Sequence, residues 1–226
     1  IVYLVGMKFG TTGNESLTWA LNVGVPVLVA DRFRGARMVA LSTGNVYGLS
    51  RIADGGAKET DRLDPVGEYA MSTVGRERIF QYYSETHRTP MALIRLYYAF
   101  ELRYGVPVDI AQKIWRGDAI DLAMGHASII WQGDANAQVL LALEQVAAPA
   151  RPINLSGPNM VRIRDVAERL GALMGRTPRF TGAEADSALV CDTTLAQSLF
   201  GPPEVPLDRA LTWIAEWVMR GGASLG

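Results

Sequence analysis

An α/β fold built on a parallel sheet is predicted by three stretches of this sequence. IVYLVG at the start and MALIRL from Met91 are short, nearly uninterrupted apolar runs, the pattern of strands buried on both faces. MVAL from Met38 is a third such run, and it delivers Ser42, Thr43, Gly44 and Asn45 at its end. Segments with helical spacing separate the three runs. Strands that alternate with helices imply crossover connections and parallel pairing.

The totals set bounds on function. With 226 residues and 49% hydrophobic composition, the chain can bury one large core or two small ones. A net charge of -1, from 22 basic and 23 acidic residues, supplies no field to hold nucleic acid or an anionic membrane. Cys191 is the one cysteine, which excludes an internal disulfide framework and suits a reducing, cytoplasmic setting. Two histidines and one cysteine do not make the usual zinc ligand set, so no metal site is expected. No apolar run approaches the ~18–20 residues of a membrane span.

Taken in order, residues 1–6 read as the first strand and 7–13 as the loop leaving it. Asn14 suits an N-cap, and Glu15 favours the positive end of the helix that follows. Leu17, Leu21, Leu28 and Phe33 keep helical spacing there, and Pro26 should kink or interrupt it. After the strand at 38–41, residues 49–65 are a loop rich in Gly, Asp and charge. Residues 67–87 form a helix with Ile79, Phe80 and Tyr83 apolar and Arg76, Glu77 and Arg78 polar. Tyr69 and Thr73 are four residues apart and share one face of it.

Beyond the strand at 91–96 and about Gly105, the alternation becomes irregular. A helix is expected at 108–115, short strands at 120–124 and 127–131, and a helix at 134–147 with Asp134 as its N-cap. A strand at 152–155 precedes an amphipathic helix at 163–174, stopped by Gly175. The final helix, 207–219, stacks Trp213 and Trp217 on one face, and the GGASLG tail should fray.

Ligands of open α/β sheets sit outside the carboxyl ends of strands. Ser42 and Thr43 at such an end, faced by Tyr69 on the next helix, are therefore the candidate reaction site. STGNVYG at 42–48 and Tyr69-Ala-Met-Ser-Thr73 resemble the strand end and the Tyr-x-x-x-Lys helix of the extended short-chain dehydrogenase/reductases, the NAD-dependent epimerase/dehydratase family of nucleotide-sugar enzymes. One position departs: Thr73 stands where the family carries Lys.

The resemblance implies a Rossmann-like doubly wound parallel sheet. Residues 1–104 would be the C-terminal half of a dinucleotide-binding domain, and 105–226 mainly a smaller α+β substrate-binding domain. No Gly-x-x-Gly-x-x-Gly follows a strand, so the phosphate-binding fingerprint is absent from this sequence. A βαβαβ half carrying it is expected to lie outside the chain, covering the apolar edge of the first strand.

The resemblance further implies NAD or NADP as cofactor, with Val5, Gly6, Met7, Ser42 and Tyr69 against it. Tyr69 would take the proton from a substrate hydroxyl while Thr43 hydrogen-bonds the same oxygen. Lys8, Gly44, Asn45 and Tyr98 would face a small hydroxylated substrate. Asn22 matches the Asn that supports the active-site helix, and Arg95 matches the Arg of its strand, whereas Tyr97-Tyr98 replaces the neighbouring Asn. The helices at 15–33 and 67–86 would pair two copies into a homodimer.

Thr73 puts the chemistry in question. A cation within ~4–6 Å lowers a phenol by about 1–3 units, so losing it cuts the phenolate fraction roughly ten- to a thousandfold. Lys8, the cation nearest the exit of the first strand, is the candidate replacement. Two readings follow: an enzyme acting through Tyr69, or a non-catalytic binding protein of the same fold. Structural roles are expected for His126 in a turn, His87 at a helix end, Cys191 as a small buried hydrophobe, and Trp213 and Trp217 in packing.

Overall fold

Two faces of one sheet sort the apolar runs. The computed structural model describes residues 1–225. Its first half runs β1 (Val2–Tyr3), α1 (Glu15–Trp19), α2 (Val25–Arg32), β2 (Met38–Thr43), β3 (Ser50–Arg51), α3 (Gly67–His87), β4 (Met91–Leu96) and β5 (Tyr98–Phe100). Then follow α4 (Val106–Arg116), β6 (Ala119–Asp121), β7 (His126–Ala127), β8 (Ile129–Trp131), α5 (Gln132–Leu141) and β9 (Arg151–Leu155). The rest is β10 (Val161–Arg162), α6 (Ile163–Met174), β11 (Arg179–Thr181), β12 (Ser187–Ala188), α7 (Thr194–Phe200) and α8 (Leu207–Met219).

The central sheet has the order β1-β2-β4-β9, with every pairing parallel. Side chains alternate along each strand. Met38, Ala40, Met91 and Leu93 meet Ala30 of α2 and Phe80 and Tyr83 of α3. Val39, Ala92, Ile94, Ile153 and Leu155 meet Ala135 and Val139 of α5 and Ala196 of α7 on the opposite side. Helices therefore cover both faces, the doubly wound arrangement expected. A second core lies apart from the sheet, where Ile110 and Ile114 of α4, Val166 and Leu170 of α6, and Leu211 and Ile214 of α8 pack together. The chain crosses back from that region to supply α5, β9 and α7 to the sheet. Among the described residues, no helix is long and apolar enough to cross a membrane.

Several expectations are corrected. Pairing of the first strand ends at Tyr3↔Ala40, and Leu4 and Val5 are 64% and 49% exposed. The chain leaves the ladder because the Asn22 side chain captures Met7: the Met7 N–H donates to Asn22 Oδ1 at 2.7 Å, and Asn22 Nδ2 donates to the Met7 carbonyl at 3.0 Å. Apolar periodicity cannot register such a side-chain competitor. The core face of α1–α2 is Thr18, Asn22, Pro26 and Ala30, whereas Leu17, Leu28 and Phe33 are exposed. Pro26 breaks nothing, because it sits in the first turn of α2 after a π-helical turn at Ala20–Gly24.

Asn14 occupies the N-cap position of α1 as expected, but its side chain makes no capping hydrogen bond and donates instead to the Gly10 carbonyl. Asp134 lies inside the first turn of α5, not at its N-cap, and its carboxylate accepts the N–H groups of Glu204 and Val205 at 3.1 and 3.2 Å. The expected strand at 127–131 is split at Ser128: β7 pairs with β10, whereas β8 pairs with β5. The 49–65 loop is tied down by β3 against β12 and by a bridge from Ala57 to Cys191. The tail is anchored as well, since the Leu225 N–H donates to the Arg103 carbonyl at 2.9 Å.

Candidate active site

The site forms where three parallel strands end. β2 runs out at Ser42-Thr43, and a single 3-10 turn at Gly44–Tyr47 redirects the chain. The N-terminus of α3 then brings Tyr69 back over the same strand ends. A cavity of about 210 Å³ lies there, and its walls include Gly6, Met7 and Lys8 after β1, Ser42, Thr43 and Asn45 after β2, and Tyr98 after β4. Tyr69 and Arg76 close it from α3. Val5 and Gly44 are not in the wall. Gly44 lies beneath the Tyr97 ring, so close that a Cβ at 44 would stand 2.4 Å from it.

Tyr69 and Thr43 are brought together. Burial pushes the Tyr69 phenol up; the nearby Thr43 hydroxyl, the positive charge of Arg76 and the Thr73 hydroxyl pull it down. Thr43 Oγ1 also accepts from the Asn45 backbone N–H and from Asn45 Nδ2, both at 3.3 Å, which fixes its rotamer. The Thr73 hydroxyl donates to the Tyr69 carbonyl at 2.8 Å, one turn back along the helix.

Lys8 lines the cavity but does not act on the phenol. It is exposed, and its ammonium stands 5.1 Å from the centroid of the Phe9 ring. The cation felt by Tyr69 is Arg76, expected from the sequence only as one of the polar residues of its helix. Arg76 is 6% exposed. Its Nη1 donates to the Leu41 carbonyl at 2.9 Å and its Nη2 to Asn22 Oδ1 at 2.6 Å. Pro26 offers no N–H to the Asn22 carbonyl four residues before it, and Arg76 Nε donates to that carbonyl at 3.4 Å. A Cβ on Gly6 would lie 2.0 Å from Arg76 Nη2, so only glycine fits at 6 while the guanidinium holds this place. The one signal in the sequence was the spacing: Tyr69 and Arg76 are seven apart, two turns on the same face.

Below the cavity lies a second polar cluster. The Ser42 hydroxyl donates to Glu77 Oε1 at 2.5 Å, so it is committed inward. Arg95 grips the same carboxylate with both arms, Nε to Oε1 at 3.0 Å and Nη2 to Oε2 at 2.7 Å. Arg95 Nη1 donates to the Tyr47 hydroxyl and to the Glu59 carbonyl. Tyr47 in turn donates to Asn154 Oδ1 at 2.9 Å, which links β2, α3, β4 and β9. Burial pushes the Tyr47 phenol up to about 12 against the opposing charge of Arg95. Cys191 is buried, and burial pushes its thiol up, as suits a packing residue rather than a nucleophile.

A parallel sheet wrapped on both faces by helices, with its cavity at the strand exits, is a Rossmann-like fold. Solved structures with this fold include NAD-dependent UDP-sugar epimerases. RMD from Pseudomonas aeruginosa, complexed with NADPH, superposes with a TM-score of 0.81 and 18% identity over 97% of this chain and 81% of its own. MoeE5 in complex with UDP-glucose and NAD gives 0.76 and 17% over 97% and 79%. The UDP-glucuronic acid 4-epimerase of Bacillus cereus with UDP-glucuronic acid and NAD gives 0.79 and 15% over 97% and 75%. No family model and no curated protein sequence matches the chain.

Proposed function

We propose that this chain carries the reaction site of an NAD(P)-dependent epimerase or dehydratase acting on a nucleotide sugar or a comparably hydroxylated small molecule. The observation that supports it most is that Tyr69 and Thr43 line one cavity at the strand exits. In this reading residues 1–104 build the cofactor side, and 105–226 chiefly hold the substrate. A cavity of about 210 Å³ is smaller than the roughly 300–1,000 Å³ of a whole-ligand pocket, so it takes only the reacting ends of cofactor and substrate. Gly6 suits close approach by the cofactor, since any side chain there meets Arg76. The Met7 N–H and carbonyl are both already engaged by the Asn22 side chain.

Bound nicotinamide supplies the hydride acceptor. Tyr69, ionised to the phenolate, accepts the proton of the substrate hydroxyl at its oxygen and becomes the neutral phenol, and Thr43 Oγ1 holds that substrate oxygen in line. Asn45 fixes Thr43 by donating to it, which leaves the Thr43 hydroxyl proton for the substrate or the phenol. Tyr97 and Tyr98 stand over the substrate side, where their bulk limits what enters. A positioned proton acceptor contributes about 10²–10⁴-fold. Full-length Tyr69→Phe should therefore bind NAD(P), seen by nicotinamide fluorescence, but lose at least a hundredfold in absorbance-monitored hydride transfer with UDP-sugars. Equal turnover by this variant overturns the reading.

One feature favours a second reading, a cofactor-binding protein without turnover: the Tyr69 phenol stays above its ordinary value, with an uncharged Thr at 73. Cofactor binding with no hydride transfer from any sugar tested would select it. We also propose a homodimer through α1–α2 and α3, because Leu28 and Tyr82 stand 69% and 58% exposed on these helices. Leu28→Glu should shift the sedimentation coefficient toward a single chain, and a wild-type protein already sedimenting as a monomer refutes the pairing.

A further inference from the structure

We propose that Arg76 supplies, from two turns along α3, the positive charge that Thr73 cannot, and eases the ionisation of Tyr69 against the burial that opposes it. This rests on the reading of Tyr69 as the proton acceptor and makes Arg76 a positioning residue for it. Three observations carry the inference. Arg76 borders the same cavity as Tyr69 and lies on the same helix face. Helical side chains lean toward the N-terminus, so the long Arg side chain reaches back along the ~10.5 Å that seven residues span. Its guanidinium is buried, yet among the described residues it forms no ion pair; its partners are a backbone carbonyl and the Asn22 side chain and carbonyl. A buried cation without a counter-charge is costly. Such a group is held in place by a shell built for it, and Asn22, Leu41 and the bare Cα of Gly6 are that shell here.

The other groups around the phenol do not supply this charge. Lys8, from the loop after β1, is exposed over Phe9. Glu68 at the start of α3 accepts from Trp19 Nε1, and Glu77 is committed to Arg95. Tyr3 from β1 lies under the guanidinium at 5.8 Å. Tyr97 and Tyr98, beyond β4, are phenols that burial pushes up, and a phenol supplies no positive charge in either protonation state. The Tyr69 phenol is lowered by the charge of Arg76 and of no other cation.

The test reads Tyr69 directly. In the full-length protein labelled with ¹³Cζ-tyrosine, the Tyr69 resonance is assigned by its loss in Tyr69→Phe and followed against pH. Arg76→Met should raise the Tyr69 midpoint so that its phenolate fraction at a fixed pH falls roughly ten- to a thousandfold. Arg76→Lys keeps the charge but loses the fork, and should hold the midpoint near wild type. Adding Thr73→Lys to Arg76→Met should bring it back. Where turnover is measurable, the acid limb of kcat/KM should move to higher pH in Arg76→Met, because the ionised phenol is the active form. An unchanged midpoint in folded Arg76→Met overturns the inference. Should Arg76→Met fail to fold, Arg76→Gln takes its place, and an equal midpoint shift in Arg76→Gln and Arg76→Lys overturns it too. Failure of the Tyr69 reading looks different: Tyr69→Phe keeps turnover while the midpoint still follows the charge at 76.

Discussion

Two buried arginines lie within one helix-and-sheet contact, and they are treated oppositely. Arg95 meets a carboxylate with both arms and a phenol with the third donor, so its charge is spent inside the fold. Arg76, next in sequence to the Glu77 that pairs Arg95, is given only neutral acceptors. The difference teaches where the chain needs rigidity and where it keeps a charge in reserve. A bidentate pair at 4% and 0% side-chain exposure pins α3 to β4, and on that pinned helix Tyr69 and Arg76 keep their separation.

Breaking the paired member gives the largest effect. Glu77→Gln leaves Arg95 buried without its counter-charge and should cost about 3–5 kcal/mol in urea unfolding. Arg76→Met removes a charge that had no carboxylate partner, and strands only the Leu41 carbonyl and Asn22, about 1–3 kcal/mol. The ordering of the two values is the informative part. A larger loss for Arg76→Met than for Glu77→Gln would mean that Arg76 is the structural pin and would dissolve the contrast.

How much of this the sequence carried depended on which interactions are local. The helix at 67–87 and the strand at 91–96 have the bounds expected; the apolar run of the strand reports its own burial, whereas the helix buries a face that is largely polar, with Ser72, Thr73, Arg76 and Glu77 beside Phe80 and Tyr83. The helices at 163–174 and 207–219 also match, the first stopped by Gly175 in the left-handed region. What escaped was long-range capture of backbone by side chains. Asn22 takes Met7 out of the sheet across fifteen residues, and Asp134 holds Glu204 and Val205 across seventy. Neither leaves a mark on periodicity. At the site, the closeness of Thr43 to Tyr69 followed from the strand-to-helix order alone. Arg76 did not stand out, because an Arg between Gly75 and Glu77 has the same appearance on a solvated face as on a buried one.

The smallest effect sharpens the contrast from the alkaline side. The Tyr47 phenol, which touches the paired arginine, ordinarily ionises near 10 and is pushed up to about 12 in the folded chain. The folded state thus keeps a proton that the unfolded chain releases first. Its stabilising share is whole below about pH 10 and is lost as pH climbs through about 12, with roughly 1 kcal/mol gone by about pH 10.5. Burial pushes Tyr97 the same way, so it adds to the slope and does not cancel it. Tyr47→Phe lowers the baseline by leaving Arg95 and Asn154 one partner short, but it should flatten the decline of unfolding free energy between pH 9 and 10.5 relative to wild type. An identical decline in both proteins would show that Arg95 stabilises the Tyr47 phenolate enough to offset its burial. The two arginines would then act alike on their neighbouring phenols, and pairing with Glu77 would not be what separates them.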